Sequence, residues 1–534
     1  MAELDLSTKG LQNRAAWEAA GYVLPKFDRE AVIAATKANP EWIHFGAGNI
    51  FKAFQCSVLQ NLLNEGIMST GVVAVERTKK GEDTHDGLVV SVTLKANGTV
   101  EKSVIGSIAE TCYLYGGEER MTEIFQNPSL KMASFTITEK GYALADGKGE
   151  MLPDITADLE AGPAAAKSYM GKVTALLLAR FNAGAAPIAM VSMDNCSHNG
   201  DKLKAAITTF ANTWAEKGLV SAEFAAYISS DKVSFPWSMI DKITPSPDLT
   251  VGAILEEDGL HGFAPVRNAR GTVTAPFVNA EETQYLVIED NFPNGKLPLD
   301  KGGIYYTSRE TVDKVETMKV TTCLNPLHTS LAVYGCVLGH KRIWEEMKDD
   351  ELVKLVNIIG YKEGLPVVTD PGILNPKEFI DTVLNVRFPN PFMPDTPQRI
   401  ATDTSQKLAI RFGETIKKYI ASDTLQVSDL KLIPLVQAGW LRYLMGINDS
   451  GEAFDLSPDP MLDIVRPYVA DFKVGDTVTA EQVKAKVGGL LSNTKIFGVD
   501  LIECGLADLV CTYFAEMIAA PGAVRATLKK YVNA

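Results

Sequence analysis

Three features of the sequence predict an α/β chain in two parts, with an N-terminal domain built on a parallel sheet and a mostly α-helical C-terminal domain. The first is Trp42-Ile43-His44-Phe45, a short buried strand that runs into Gly46-Ala47-Gly48-Asn49-Ile50-Phe51 and then a helical stretch, Lys52 to Gly66. The second is another strand, Gly71 to Val75, which ends on Glu76-Arg77. The third is a change of texture after Tyr306, where long helical apolar patterns replace strand-like runs. A strand, a G-x-G turn and a helix make the first unit of a Rossmann-type fold, because glycines let the backbone approach a pyrophosphate at the helix N-terminus. We therefore expect a Rossmann-type NAD-binding domain over residues 1–300 and an α-helical substrate and catalytic domain over 301–534. The cleft between two such domains is the expected site.

A helix is expected near Asp28 to Lys37. In the glycine turn, Gly46, Gly48, Asn49, Ile50 and Phe51 are the cofactor-binding candidates. Phe51 stands where a third glycine is usual. Glu76 at the end of the second strand can accept both ribose hydroxyls and repels a 2′-phosphate, which favours NAD over NADP. Arg77 beside it is able to face a 2′-phosphate and acts against that preference. Strand-like runs follow at 87–94, 100–108 and 132–138, then a helix over 164–182. A buried strand at 187–193 delivers Asp194-Asn195-Cys196-Ser197-His198-Asn199-Gly200 at its carboxyl end, where open sheets bind ligands. Asp194, Asn195 and Asn199 also suit the N-cap of a helix over 201–216. Asp241 is a buried-looking carboxylate within F-P-W-S-M-I-D-K-I-T-P, residues 235–245. Strands at 272–277 and 284–289 precede a polar stretch, 290–303, that reads as the domain boundary. Helices are expected at 327–347, 350–358, 376–384, 405–420, 429–446, 460–470, 480–491 and 504–518, with loops at 387–399 and 446–451.

Composition narrows the function classes. Hydrophobic residues are 46% and charged residues 22%, ordinary for a chain with a sizeable core. The net charge of -14 disfavours nonspecific binding to nucleic acid or anionic membranes, though it leaves room for a local basic pocket. The N-terminus lacks a signal-peptide pattern, and no apolar run is long enough to span a bilayer. Seven scattered cysteines with no C-x-x-C pair favour reduced thiols in a cytoplasm. Six histidines show no ligand spacing, so no metal site is expected.

Val315 to His328 is the stretch richest in chemistry, placing Glu316, Lys319, Asn325 and His328 among apolar or small residues. A lysine in such surroundings is costly to keep charged, so its pKa should fall and it can act as a base near neutral pH. An asparagine and a histidine just beyond it can hold an oxygen. The alternative is a helix end with a snorkelling lysine and a capping asparagine.

Taken together the motifs resemble the family of polyol-specific long-chain dehydrogenases/reductases, whose members act on mannitol, arabinitol, fructuronate and tagaturonate. The resemblance runs over roughly residues 40 to 520. It is carried in order by F-G-A-G-N-I-F-K-A-F-Q (45–55), H-D-G-L (85–88), V-I-G-S-I (104–108), T-I-T-E-K-G-Y (136–142), S-M-D-N-C-S-H-N-G (192–200) and F-P-W-S-M-I-D-K-I-T-P (235–245). V-I-E-D-N-F (287–292), E-T-M-K with N-P-L-H (316–328), R-F-P-N-P (387–391), D-T-P-Q-R-I-A-T-D-T-S-Q-K (395–407) and G-I-N-D-S-G-E-A (446–453) complete it. The resemblance implies that Lys319 is the general acid/base, that Glu316 relays its proton to water, and that Asn195 and Asn325 polarise the reacting oxygen. It assigns substrate contacts to Asp241, His328, Arg399 and Lys407, and makes Phe51 a normal occupant of its position. It implies a metal-independent enzyme that takes NAD, with NADP less favoured, and a monomer or weak oligomer. D-fructuronate/D-mannonate is the expected substrate couple; D-mannitol/D-fructose and tagaturonate reduction are the alternatives. A non-catalytic NAD-sensing protein on the same scaffold is a reading from another class, and it predicts loss of the lysine, asparagine and histidine set, which is present here.

One departure from the family has a structural consequence. Five residues separate Lys319 from Asn325, where four are usual in the family. In a regular α-helix the extra residue rotates Asn325 by about 100° relative to Lys319. A π-bulge, or a helix restarted at Pro326 with Asn325 as N-cap, is therefore expected between 319 and 326.

Overall fold

A computed structural model describes residues 3–79, 84–267, 271 and 273–534. Expectations touching Met1, Ala2 and Thr272 lie outside the described residues. The chain divides into two compact units, residues 1–95 with 99–313, and residues 314–534 with 96–98.

The N-terminal unit is organised by a six-stranded parallel sheet. Its strands in chain order are β1 (Trp42–Phe45), β2 (Val72–Thr78), β3 (Ile108–Tyr115), β4 (Met132–Phe135), β5 (Ile188–Ser192) and β6 (Val233–Ser234). Their spatial order is β3-β2-β1-β4-β5-β6, every neighbour parallel. This is the strand order of a doubly wound dinucleotide fold, with its switch point between β1 and β4. Alternation along the strands feeds two cores. Ile43, Phe45, Val73 and Val75 join one cluster, whereas Trp42, Val72 and Ala74 join the other. Burial on both faces is why these strands read as continuous apolar runs.

β3 differs from the sequence expectation, which placed a strand at 100–108. The structure splits that region into Val100–Ile105, which pairs antiparallel with Val89–Leu94, and the separate Ile108–Tyr115. Gly106 marks the break. Fully buried Arg180 ties the crossover helix Tyr169–Asn182 to the sheet, since its guanidinium donates to the carbonyls of Phe125, Asn127, Leu130, Ala186 and Pro187 at 2.7–3.0 Å.

The C-terminal unit is mostly helical. Arg309–Met318 (α1) leads into it, followed by Asn325–Leu338 (α2), Ala409–Gly413 with Glu414–Ile420, and Leu432–Leu444 (α3). Ala507–Ile518 packs on α3, and Ala480–Leu491 packs on Ala507–Ile518. All thirteen residues of α3 are buried, and the N-terminus of this helix has no local side-chain cap. Buried Glu363 supplies the missing acceptors, taking the N–H groups of Lys431, Leu432 and Ile433 at 2.7–2.8 Å. The single helix expected over 327–347 is instead α2 and a short turn, Ile343–Glu346. Gly339, at φ 83°, ends α2 in the left-handed conformation that glycine adopts most easily. Ala523–Val532 is a further helix that the sequence reading did not contain. No described helix is long and apolar enough to cross a membrane.

Candidate active site

In the N-terminal unit the glycine turn is fixed from beneath by a hydrogen-bond wire. Trp42 Nε1 can only donate, and it meets Ser134 Oγ at 2.7 Å. Thr136 gives its one hydroxyl proton to the carbonyl of Gly46 at 2.8 Å, so it must accept from His44 Nε2 at 2.9 Å, and the neutral ring then accepts at Nδ1 from Ser134 Oγ at 2.7 Å. Burial lowers the His44 pKa to about 3, so the imidazole stays neutral. Phe51 stacks on this ring, centroids 3.9 Å apart and nearly parallel. Where a third glycine is usual, this chain uses a buried aromatic ring, and a π turn at Phe51–Gln55 accompanies it.

Gly46 has φ 91°, and a Cβ there would lie 2.2 Å from the carbonyl oxygen of Thr136. The position therefore excludes every other residue. At Gly48 a Cβ would enter open space, its nearest neighbour 3.8 Å away. That open backbone is what close approach of a pyrophosphate requires, so the turn fits a dinucleotide. Asn49 and Ile50 begin the helical segment behind it.

Glu76 and Arg77 at the end of β2 open into different cavities. Glu76, Asn49, Lys52 and His85 line one of about 220 Å³, and Glu76 lies 3.7 Å from the Lys52 ammonium. Arg77 lies over the Tyr115 ring, 5.5 Å from its centroid. It lines a second cavity of about 410 Å³ with Gly46, Thr138 and Tyr169.

The segment after β5 corrects the capping expectation. Asp194 accepts the N–H groups of Ile137 and Thr138 at 2.9 Å and the hydroxyl of Tyr142. Asn199 is wholly buried and joins Ser192, Asp194 and Ser238. Neither caps the helix Asn199–Glu216, whose N-cap is His198 in a left-handed conformation. Asn195 stays exposed at the carboxyl edge of the sheet. Asp241 is buried at the end of the strand Ser238–Asp241. The link from Asp194 to Tyr142 and to Thr138, which holds φ 64°, joins two motifs more than fifty residues apart and has no local sequence signal.

In the C-terminal unit, α1 carries Glu316 and passes directly into a π turn, Lys319–Cys323. Lys319 is 5% exposed. Leu324 departs from helical geometry at φ −132°, ψ −60°, and α2 restarts at Asn325-Pro326. A π turn closes i→i+5, so it takes up one more residue than an α turn. The extra residue between Lys319 and Asn325 is absorbed by both expected devices at once. Leu324, not Asn325, holds the N-cap position, and the Asn325 side chain is left half-buried without a capping bond. Thr415 Oγ1 donates to the carbonyl of Thr321 within the wide turn at 3.3 Å.

His328 lies on α2 against Phe388, with Nε2 3.6 Å from Asp395 Oδ2. Nε2 is buried and makes no hydrogen bond. Burial lowers the His328 pKa to about 4 against the opposing Asp395 charge, and Arg411, Arg387 and Arg399 add to the lowering. Arg399, with its side chain 63% exposed, pairs with Asp395. Lys407 donates to the carbonyl of Thr402. Its pKa is lowered by burial and then by Arg411. Arg399 thus takes the carboxylate that His328 only faces, and Lys407 belongs to the same field of charge. Asp395 and Arg411 were missed by the sequence reading. The i, i+4 spacing of Asp395–Arg399 and of Lys407–Arg411 was the available signal. Among the described residues no group of three or more His, Cys, Asp or Glu side chains is placed to hold a metal ion.

The strand order and the open glycine turn define a dinucleotide-binding protein of the Rossmann class. The family model of the mannitol dehydrogenase Rossmann domain matches residues 40–301, and that of the mannitol dehydrogenase C-terminal domain matches residues 311–516. The chain belongs to the mannitol dehydrogenase family of oxidoreductases. It is 49% identical to D-mannonate oxidoreductase of Thermotoga maritima over 99% of both chains. It is 28% identical to mannitol 2-dehydrogenase of Emericella nidulans, covering 92% of this chain and 93% of that one. Among solved structures, mannitol 2-dehydrogenase of Pseudomonas fluorescens, a ternary complex with NAD and D-mannitol, has the same fold. Its TM-score is 0.66 at 24% identity, with 100% of each chain covered. A D-sorbitol dehydrogenase in substrate-free form aligns with TM-score 0.73 at 23% identity, covering 92% of this chain and 98% of that one.

Proposed function

We propose that this chain is an NAD-dependent dehydrogenase that interconverts D-mannonate and D-fructuronate. The observation that carries the reading is the 49% identity over essentially the full length to a D-mannonate oxidoreductase. In oxidation, neutral Lys319 takes the proton of the secondary hydroxyl, and Glu316 passes it to water. Asn195 and Asn325 donate hydrogen bonds to the oxygen as negative charge grows on it. Bound nicotinamide supplies the hydride acceptor, and the donor in the reverse direction. His328, neutral and with an unpaired Nε2, is suited to a substrate hydroxyl, with Asp241, Arg399 and Lys407 as the remaining substrate contacts. The glycine turn receives the pyrophosphate. Glu76 faces the ribose and Arg77 is occupied by Tyr115, which supports NAD over NADP. The acidic chain and its seven free cysteines support a cytoplasmic enzyme acting on a small molecule, as a monomer or weak oligomer, without nucleic acid or membrane partners.

Initial rates with NADH and NADPH against fructuronate, tagaturonate and fructose test the reading. Fructuronate with NADH is expected to give the highest kcat/KM, by at least about tenfold, and a preference for fructose would move the protein to the mannitol branch. Lys319→Ala is expected to lower kcat by ~100-fold or more, the usual range for losing a general base. A variant that kept most of its kcat would sink the mechanism.

A further inference from the structure

We propose that Arg411 is the residue that selects an acidic substrate, by taking its carboxylate. This rests on the sugar-acid reading and adds to it a specific cation that neither motif nor resemblance singled out.

Two neighbouring cations in this unit are already engaged. Arg399 is mostly exposed and is paired with Asp395. Lys407 spends its ammonium on the carbonyl of Thr402. Arg411 differs from both. It is half-buried, and among the described residues its guanidinium pairs with no carboxylate. Among the described residues its guanidinium donates one hydrogen bond, to the hydroxyl of Thr329. Burial alone lowers its pKa, to about 10, so it keeps its charge at neutral pH.

A structural arginine in the same molecule looks different. Arg180 has all five N–H groups satisfied by five main-chain carbonyls. Arg411 leaves most of its fork unused, and a planar fork of this kind fits a carboxylate bidentately. A partly desolvated cation without an anion is costly, and a ligand anion removes the cost.

Its position fits the role. Thr329, which holds Arg411, is the neighbour of His328 on α2 and donates to the carbonyl of Asn325 at 2.9 Å. Arg411 itself lies within a π turn, Ala409–Gly413, that packs on the π turn beginning at Lys319. The guanidinium is therefore anchored to the segment that carries Lys319, Asn325 and His328, three of the residues proposed for the chemistry.

The test is kcat/KM of the purified full-length chain with NADH for fructuronate and for uncharged fructose, with enough enzyme to follow slow turnover. Wild type, Arg411→Met and Arg411→Lys are compared, with thermal unfolding to check that each is folded. Arg411→Met is expected to lose about 100-fold on fructuronate, the range for a hydrogen bond to a charged group, and to stay within about threefold on fructose. Arg411→Lys, which folds with a smaller change in packing and keeps the charge, is expected to recover part of the fructuronate rate. Equal losses on both substrates make Arg411 a packing or positioning residue and overturn the inference while leaving the function standing. Undiminished fructuronate turnover in Arg411→Met overturns it likewise. Wild-type turnover of fructose with none of fructuronate overturns the sugar-acid reading itself.

Discussion

Ser134 shows how much a single hydroxyl can decide. It receives Trp42 Nε1–H and gives its own proton to His44 Nδ1, so it holds a fully buried histidine in the Nε2–H tautomer. That tautomer in turn directs Thr136 at the Gly46 carbonyl. Replacing Ser134 with alanine strands a buried donor and a buried acceptor together. The expected cost is about 2 kcal/mol in chemical unfolding, within the usual range for an unsatisfied buried polar group. Weaker NADH binding, about threefold to tenfold by fluorescence titration, is expected with it, because the turn loses its support. An unchanged unfolding midpoint would show that the wire is not structural. None of this was legible in the sequence. Glycines, an acidic residue after β2 and the lysine of 315–328 announce themselves by type and spacing. Ser134, Asp194 and Arg411 act through contacts with residues distant in sequence.

At the scale of elements, local pattern revealed most of the fold, and it failed where a remote side chain replaces a local signal. The first two sheet strands, the strand before Asp194, and the helices at 350–358 and 480–491 were read within a few residues of their observed bounds. β3 was lost because Gly106-Ser107 is the whole break between two strands, too short to interrupt the apolar run. The start of α3 had no capping residue to mark it because Glu363 caps it from across the core. The irregular segment after Lys319 was the reverse case, since counting residues was enough to require it. The π turn gives that count a test. Deleting Val320, which is half-buried, leaves four residues between Lys319 and Asn325, so an α turn can replace the π turn without rotating the ends. The deletion is expected to keep at least about a tenth of wild-type kcat, whereas deleting Ala332 from the middle of α2 shifts every buried side chain beyond it and abolishes activity. Equal damage from the two deletions would mean that the π turn does more than absorb a residue.

Across the whole molecule, each compact unit carries one buried histidine that must stay neutral. Burial lowers His44 to about 3 in the N-terminal unit and His328 to about 4 in the C-terminal unit, both from an ordinary 6.5. Unfolding exposes both rings, so between pH 6.5 and the folded values the unfolded chain binds more protons than the folded one. Stability therefore falls as pH drops through that window and is unaffected by these groups above it. For His328 alone the loss from pH 6.5 to pH 4 is on the order of 3 kcal/mol. Buried carboxyls whose pKa is raised act in the opposite sense. Burial raises Glu346 and Glu363, so these groups favour the folded state least at high pH. The two classes therefore oppose each other, the histidines favouring the folded state more as pH rises and the buried carboxyls more as it falls. A His328→Asn variant removes the titrating ring while keeping a neutral polar group. Its unfolding free energy is expected to fall less steeply than that of the wild type between pH 6.5 and 4, by about 3 kcal/mol over the interval. The difference is read from urea unfolding at half-unit steps. Parallel curves for the two proteins would mean that His328 is charged in the folded state, and would remove the neutral donor proposed here for a substrate hydroxyl.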